Sequence, residues 1–400
     1  MSRKLLTILL VLSISVVAMG ADNSKFAQDD GLSGSNNTII QKQKTGTYDN
    51  DAYTLIQKQI GDIYSVSTKG TINQNSPGNW RTGHQTLAGT AITALIKQSG
   101  NWQTATQTIK GKGITAKIIQ SNKENTATQT VRGIDHEAYI TQAGREGEAT
   151  QTINGGMQPE NFEKNSWNYA EIIQDRRSRK AKATQTITGF ANEALIEQTG
   201  TSNTATQTII GQQNIAETRQ EGSNNCANTV IDADGIDNEV YIAQKGYFNC
   251  MDVTVTEGDC GLSIANVVRT KQAGSENEGT IEIDGSIGNR VTLNQPSTNG
   301  ALNIGTIDIS GSDNNKVKLL QKGRSNEGTI NLVGCNDCGY GNNSTQGNNV
   351  LLKQIGVGNT GTVNVTDTSF STVKLIQKGD GLVGNIDIVG ELHAVEIVIQ

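Results

Sequence analysis

The chain has 400 residues, of which 34% are hydrophobic and 4% aromatic, and its formal net charge is −6. So few bulky side chains cannot build conventional globular cores in a chain of this length. Intrinsic disorder is not expected either, because disordered chains usually combine low hydrophobicity with high net charge or abundant proline, and this chain has 3 prolines. The composition therefore predicts an ordered protein with a polar interior.

Residues 1–20 have the layout of a secretory signal peptide. Arg3 and Lys4 precede an apolar run over residues 5–17, and small residues lead up to Ala21. The run is shorter than the roughly 20 residues that span a bilayer, and no later stretch is comparably apolar. We therefore expect residues 1–20 to be removed on export. The mature chain is then expected without a membrane span, secreted to the cell surface or an extracellular matrix fibre.

Two short segments repeat along the chain, usually every 22 to 24 residues. The first, seen as Ala-Leu-Ile-Lys-Gln at residues 94–98, ends in Gln98, Gln120, Gln142, Gln174, Gln198, Gln220, Gln244, Gln272, Gln295, Gln321, Gln354, Gln377 and Gln400. The second, Ala-Thr-Gln-Thr-Ile or a close variant, contains Gln107, Gln129, Gln151, Gln185 and Gln207. Self-similarity at a fixed period indicates a repeat architecture.

Each segment alternates between two kinds of side chain. Ala94, Ile96 and Gln98 fall on one face, and Leu95 and Lys97 fall on the other, which is the two-residue period of a β-strand. Gly, Asn and Ser between the segments supply turns. The repeat therefore predicts an all-β fold, a β-solenoid of two-strand rungs with glutamine and asparagine ladders, in which each rung pairs with the next at about 4.8 Å.

Stacked rungs bring equivalent side chains into register. A buried glutamine amide is costly unless it is hydrogen-bonded, but a column of glutamines lets each amide donate to the next. We predict two such ladders, one through Gln98 and its equivalents and one through Gln107 and its equivalents.

The copies change in character along the chain. Residues 21–90 carry degenerate repeats, residues 91–260 carry glutamine in both segments, and residues 261–400 carry diverged repeats whose second segment has no glutamine. Longer repeat steps predict loop inserts at residues 156–166 and 335–347. Since the sequence stops inside a strand pattern at Gln400, an uncapped final strand is expected, and such an edge can pair with another chain.

The repeat phrase resembles a known family. Ala-x-Ile-x-Gln-x-Gly, as at residues 138–144 and 194–200, followed by Asn203 and Ala205, resembles the curlin repeat of bacterial curli subunits, with the minor, nucleating subunit as the nearer likeness. The resemblance spans residues 91–400 and is clearest over 91–211. The chain departs from the family in its length, more than twice the usual, and in the place of the second glutamine.

The curlin resemblance implies a β-solenoid that polymerises as a functional amyloid. It also implies interior glutamines such as Gln98 and Gln142, and turn glycines at Gly100, Gly144, Gly200 and Gly246. The expected function is that of a secreted subunit, or nucleator, of curli-like fibres in the biofilm matrix, mediating adhesion and aggregation. The expected partners are further copies of the chain, other curlin-like subunits and a curli-type secretion machinery.

A monomeric cell-surface β-solenoid is the alternative. Thr104, Thr106 and Thr108 recur on later rungs and predict an outward-facing threonine grid, which can bind ice or a repetitive polymer. Threonine also simply suits an exposed strand. The alternative function is therefore that of an adhesin or an ice-binding protein.

The cysteines suggest disulfides. Cys226 and Cys250 each lie six residues after a repeat glutamine, so we expect them on adjacent rungs within disulfide distance in an oxidising compartment. Cys335 and Cys338 lie in a Gly- and Asn-rich insert. A local disulfide is the simpler expectation for them than a metal or redox site, because neither a second pair nor a histidine accompanies them. This leaves Cys260 over.

Neither an enzyme nor a cofactor or metal site is expected. The three histidines occupy unrelated repeat positions, and no Ser-His-Asp, zinc-protease, phosphate-loop or dinucleotide signature occurs. Residues 176–180 read Arg-Arg-Ser-Arg-Lys and can contact a polyanion such as extracellular DNA. A solvated turn that opposes lateral aggregation is the simpler interpretation, so nucleic acid is not an expected partner.

Overall fold

A computed structural model of the chain describes residues 15–17, 24–31, 37–43, 53–60, 68–74, 80–155, 167–232, 236–257, 263–285, 287–296, 302–311, 313–334, 347–366, 371–389 and 393–399. The predicted loop insert at 156–166 lies outside these residues, and so does the one at 335–347 except for Gly347.

All regular structure in the described residues is β-strand. In chain order the strands are β1 (Ser15–Val17), β2 (Ser24–Gly31), β3 (Asn37–Gln43), β4 (Tyr53–Ile60), β5 (Thr68–Gln74), β6 (Arg81–Thr90), β7 (Ile92–Asn101), β8 (Gln103–Lys112), β9 (Thr115–Lys123), β10 (Thr126–Ile134), β11 (Glu137–Gln142), β12 (Glu148–Asn154), β13 (Tyr169–Gln174), β14 (Lys182–Phe190), β15 (Glu193–Thr201), β16 (Thr204–Gln212), β17 (Ile215–Ser223), β18 (Cys226–Ile231), β19 (Glu239–Tyr247), β20 (Cys250–Thr256), β21 (Val267–Ser275), β22 (Glu278–Asp284), β23 (Arg290–Pro296), β24 (Lys316–Arg324), β25 (Asn349–Val357), β26 (Thr360–Gly361), β27 (Ser371–Lys378), β28 (Val383–Gly384) and β29 (His393–Ile399).

Up to β23, successive strands alternate between two parallel sheets. Sheet A has the order β1-β3-β5-β7-β9-β11-β13-β15-β17-β19-β21-β23-β24-β25-β27-β29, and sheet B has the order β2-β4-β6-β8-β10-β12-β14-β16-β18-β20-β22. Strands β26 and β28 form a separate short pair. One strand from each sheet makes a rung, so the chain coils as a flattened solenoid and the predicted all-β solenoid is confirmed.

Equivalent residues pair across successive rungs. Gln98 pairs with Gln120 in sheet A, and Gln107 pairs with Gln129 in sheet B. The register corrects one expectation at the end of the chain. Ile399, and not a glutamine, pairs with Gln377, and Gln400 lies outside the described residues.

The interior lies between the two sheets, and each rung contributes one layer of side chains to it. The buried residues of the rung formed by β7 and β8 are Ile92, Ala94, Ile96, Gln98, Gln103, Ala105, Gln107 and Ile109. Up to about residue 210, one apolar cluster contains the equivalents of Ile96 and Ala105 and another contains those of Ala94 and Ile109. The Gln107 column stands between them along the strand. Beyond it the clusters merge, because apolar side chains such as Val253 replace the glutamine.

The later rungs conserve interior volume by a paired exchange. Leu293 and Leu319 occupy the Ile96 position of sheet A, while Gly305 and Gly328 occupy the Ala105 position opposite. A Cβ added to Gly305 would lie 2.9 Å from Leu293 Cδ1, and one added to Gly328 would lie 2.8 Å from Leu319 Cδ1. The glycine therefore makes room for the longer reach of the leucine.

Sheet B loses its regular pairing in the same region. Residues 304–311 and 328–333 keep the alternation of buried and more exposed side chains, but they form no strand. Each segment carries a glycine, Gly305 or Gly328, where the early rungs carry alanine, but Gly279 holds the same position within the regular strand β22. The sequence pattern therefore predicts the alternation of these segments but not the loss of their pairing.

The two corners of each rung are tight. A residue with a left-handed backbone conformation lies one or two residues before the next strand begins. Ala191 (φ 56°) and Ser202 (φ 55°) are examples. Two residues after the sheet A glutamine, Gly222 has φ +119°, and a Cβ added there would lie 1.9 Å from the carbonyl oxygen of Gly246 on the next rung. Both the backbone angle and the close approach of the next rung require glycine.

We expect Gly222→Ala to lower the free energy of unfolding by more than about 3 kcal/mol, because the methyl group forces neighbouring rungs apart. Gly358→Ala is the matched control, since Gly358 has φ +65° and nothing lies within 4 Å of an added Cβ. That variant should lose only about 1 kcal/mol of stability, because alanine is strained in the left-handed conformation. Urea unfolding of the soluble chain measures both, and equal losses would contradict the close-approach explanation.

Candidate functional site

The glutamine ladder of sheet A runs through the described repeats without a break from Gln74 to Gln377. Each Nε2 donates to Oε1 of the next glutamine at 2.8 to 3.1 Å, and every member is 3% exposed or less. The members are Gln74, Gln98, Gln120, Gln142, Gln174, Gln198, Gln220, Gln244, Gln272, Gln295, Gln321, Gln354 and Gln377. The structure thus aligns the predicted glutamines from Gln98 to Gln377 and adds Gln74.

The amide nitrogen also bonds to the corner of its own rung. Gln198 Nε2 donates to Gln220 Oε1 at 2.9 Å, to the carbonyl of Lys182 at 2.9 Å and to the carbonyl of Asn203 at 3.1 Å. The ladder therefore ties each sheet A strand to the following turn as well as to the next rung. A polar side chain can stay buried here because both its donor and its acceptor atoms are satisfied.

The glutamine ladder of sheet B is shorter. It runs through Gln85, Gln107, Gln129, Gln151, Gln185 and Gln207, with Nε2 to Oε1 distances of 2.6 to 3.0 Å. At its end Gln207 Nε2 donates to Thr218 Oγ1 of sheet A at 3.0 Å, in place of a next glutamine. Thr229 and Val253 occupy the next positions of the column. The last amide therefore bonds to the opposite sheet and not to the next rung of its own sheet.

Two asparagine ladders occupy the corners; the sequence predicted glutamine and asparagine ladders, but it did not identify these asparagines. One precedes sheet A and consists of Asn168, Asn192, Asn214, Asn238, Asn266, Asn289, Asn315 and Asn348, with Nδ2 to Oδ1 distances of 2.9 to 3.3 Å. The other precedes sheet B and consists of Asn203, Asn225, Asn249, Asn277, Asn303, Asn326 and Asn359.

Each corner asparagine bonds to the rung on either side. Asn214 donates its backbone N–H to Asn192 Oδ1 at 3.0 Å and its Nδ2 to the same oxygen at 3.2 Å. Asn192 Nδ2 in turn donates to the carbonyl of Gly211 at 3.0 Å. Turn groups that would otherwise be buried without partners are satisfied in this way.

A sequence signal for these ladders exists. The asparagines of the first ladder lie six residues before a ladder glutamine, as Asn192 does before Gln198. Those of the second mostly lie five residues after one, as Asn203 does after Gln198. Because asparagine is a common turn residue, its fixed offset from glutamine is more informative than its abundance.

His136 stands at the head of the first asparagine ladder. Its Nδ1 accepts a hydrogen bond from the backbone N–H of Asn168 at 3.1 Å. The ring fills a space next to Gly155, where an added Cβ would lie 2.0 Å from His136 Nε2. Burial lowers the pKa of His136 to about 4, against the opposing effects of a backbone hydrogen bond with Arg132 and the charge of Asp135. The imidazole is therefore neutral at pH 7.

The structure joins Cys226 and Cys250 by a disulfide between adjacent strands of sheet B, with the Cα atoms 4.6 Å apart. The two residues pair in register at the start of β18 and β20. Cys260, Cys335 and Cys338 lie outside the described residues.

The outward side of sheet B carries threonine columns between β8 and β16. Thr106, Thr128, Thr150, Thr184 and Thr206 are paired in register, and so are Thr108, Thr130, Thr152, Thr186 and Thr208. The charged turn at 176–180 is partly neutralised, because Arg177 bonds to Asp175 and Arg179 bonds to Glu146 at 3.2 Å.

Neither metal-ion clusters nor spanning helices emerge from the described part of the chain. Within it, no group of three or more His, Cys, Asp or Glu side chains can hold a metal ion. The same residues include no helix with the length and apolarity to cross a bilayer. Comparison with known protein families gave no match, and comparison with curated protein sequences gave none either.

We expect Gln120→Glu to lower the free energy of unfolding by several kcal/mol, roughly the cost of an unpaired buried charge. The carboxylate keeps an acceptor for Gln98 but loses the bonds that Gln120 Nε2 donates to Thr104 O at 3.0 Å and to Gln142 Oε1 at 2.8 Å. Gln213→Glu makes the same chemical change at an exposed corner and should stay within about 0.5 kcal/mol of the parent. Thermal unfolding at pH 7 compares the variants, and similar losses in both would contradict the ladder's role.

We expect His136 to make stability depend on pH between about 6.5 and 4. The folded pKa of about 4 lies below the unfolded value of 6.5. The unfolded chain therefore binds the extra proton first, and stability falls as the pH drops through this window. The full loss is on the order of 3 kcal/mol. His136→Asn extends the asparagine ladder and removes this dependence. Between pH 7 and 4.5 the melting temperature of the parent should fall more steeply than that of the variant. An equal fall in both proteins would contradict the prediction.

Proposed function

We propose that the chain is a secreted, non-enzymatic subunit or nucleator of extracellular curli-like amyloid fibres, which serve adhesion and aggregation in a biofilm matrix. The observation that carries the proposal is the unbroken ladder from Gln74 to Gln377, in which every rung presents the same amide to the rung beyond it. A side chain that bonds one rung to the next can bond one chain to the next by the same contact.

Backbone pairing supports end-to-end growth. Every strand pair of the two sheets is parallel, and equivalent residues stand opposite each other. A parallel strand has unpaired N–H and C=O groups along its outer edge until another strand is added. Addition of a second solenoid at such an edge satisfies these backbone groups.

The disulfide between Cys226 and Cys250 supports an extracellular location. Disulfides persist in oxidising compartments and are rare in the cytosol. This agrees with the expected signal peptide at residues 1–20, with curlin-like subunits as partners and with export by a curli-type secretion machinery.

The purified chain lacking residues 1–20 tests the proposal. We expect thioflavin-positive fibres that grow faster when seeded and that diffract near 4.8 and 10 Å. Soluble β-rich monomers that persist for days under seeding, by sedimentation velocity, would reject the fibre function.

A blocked end distinguishes end-to-end growth from other assembly. A compact folded domain fused directly after Gln400 should stop growth at that end, whereas the same domain on a flexible linker of about 60 residues should leave it intact, because such a linker spans tens of ångströms. Equal seeded elongation rates for the two fusions would contradict end-to-end addition there.

The threonine columns favour a second candidate, a monomeric surface solenoid that binds ice or acts as an adhesin. Two in-register columns of partly exposed threonines extend over five rungs of sheet B. Thermal hysteresis of the soluble chain, abolished by Thr128→Lys with Thr150→Lys, would support this candidate; no hysteresis would leave the columns as ordinary strand residues.

A further inference from the structure

The outer face of sheet A contains an acidic band of five successive strands. β11, β13, β15, β17 and β19 carry seven glutamates and two basic residues, a net charge of −5. The glutamates of this acidic band are Glu137, Glu171, Glu193, Glu197, Glu217, Glu221 and Glu239.

The next five strands of sheet A form a basic band. β21, β23, β24, β25 and β27 carry ten basic residues and no acidic ones, a net charge of +10. The members of this basic band are Arg269, Lys271, Arg290, Lys316, Lys318, Lys322, Arg324, Lys353, Lys374 and Lys378. The sign of the face therefore reverses between β19 and β21, while the earlier strands β7 and β9 carry Lys97, Lys117 and Lys123.

Within the described residues, few acidic side chains neutralise the basic band. In the part of the protein that the structure describes, Lys374 is its one member with an ion pair, to Glu396 of β29. Arg290 stands directly beside Lys316 in the sheet, and like charges in this position repel. The acidic band contains local pairs, such as Lys245 with Glu221 at 3.1 Å, but keeps an excess of carboxylates. Opposite charges on another molecule would reduce the electrostatic repulsion within both bands.

Large apolar side chains stand among the charges of both bands. Tyr139 pairs with Glu171, which pairs with Leu195, so glutamate and apolar residues alternate from strand to strand. In the basic band Lys318 pairs with Leu351, which pairs with Lys374. These side chains are only partly exposed and give the face aromatic and aliphatic contact area, as protein interfaces have.

We propose that the outer face of sheet A binds the same face of a second copy of the chain, with the two solenoids antiparallel. Only an antiparallel arrangement sets acidic on basic in both halves. Its two-fold axis lies along the strand direction between β19 and β21. That axis places β15 of one copy over β24 of the other, since each is the third strand from the dividing line. The two-fold axis repeats this contact between β15 and β24, so it occurs twice, as in a closed dimer.

The area of the face is sufficient. Ten strands at about 4.8 Å spacing, each with about six residues at 3.3 Å, cover on the order of 1,000 Å² per copy. A standard stable interface buries about 800 Å² per partner. The complementary bands would steer association and fix its direction, and the attraction would weaken with salt.

Two other occupants of the basic band are distinguishable from a second sheet A. The outer side of sheet B is acidic in the later rungs, where Glu278, Glu282 and Glu327 lie, and a free polyanion is also acidic. Neither of these partners would use the glutamates of the acidic band. Charge reversal in that band therefore separates the proposed pairing from both.

The experiment uses freshly purified soluble chain, before any fibre growth, and measures dimerisation by sedimentation velocity at 50 and 500 mM salt. We expect dimers that dissociate at the higher salt. Glu193→Lys with Glu197→Lys should raise the dimer dissociation constant at least roughly 100-fold, because like charges then face each other twice. Lys316→Glu with Lys318→Glu should do the same.

Complementation gives the decisive arm. An equimolar mixture of the two double variants, or one chain carrying all four substitutions, should dimerise within about tenfold of the parent, because opposite charges face again. Glu278→Lys with Glu282→Lys on sheet B is the matched control and should leave the dimer unchanged. Circular dichroism and melting curves establish that every variant folds.

The outcomes are separable from those of the fibre test. A parent that stays monomeric at 50 mM salt, or double variants that fail to complement, would overturn the pairing. Association that is lost with the sheet B variant, or that survives reversal of Glu193 and Glu197, would assign the basic band to a different partner and also overturn it. Dimers without later fibres would reject the proposed function and leave the pairing intact.

Discussion

The fold depends on one constraint: an amide buried in the interior must find its partner on the neighbouring rung. Gln198 bonds forward to Gln220 and also to the turn that follows its own strand. This arrangement fixes the register of the rungs, since a shift by one residue would bury an outward side chain and leave the amides without partners. It also explains how a chain with 4% aromatic residues maintains an ordered interior.

Much of this was predictable from sequence, because the strand period and the spacing of glutamines are local signals. Asparagine ladders were expected, but their members were not identified, since asparagine between strands is also typical of ordinary turns. Spacing alone also placed Gln400 in the ladder, although repeats of 22 and 23 residues both occur and the structure pairs Ile399 with Gln377. The alternating pattern near Ile307 resembles a strand, yet residues 304–311 form none.

Outward positions are free of the constraint that governs the interior. Each rung fixes only the residues that face inward, so the exposed positions can vary in charge without disturbing the ladders. Sheet A uses this freedom for long bands of one sign, while the threonine columns of sheet B stay nearly uncharged between β8 and β16. The inward residues therefore determine how the rungs stack, and the outward residues determine which partners the solenoid binds.

The disulfide lies where the interior changes. The sheet B glutamine ladder ends at Gln207, and Cys226 and Cys250 join the next two strands of that sheet. In a linear array, melting that starts at one end can spread rung by rung like an opening zipper. A covalent staple at this boundary would act as a stop for such a zipper, so damage to one half of the molecule would remain confined to that half.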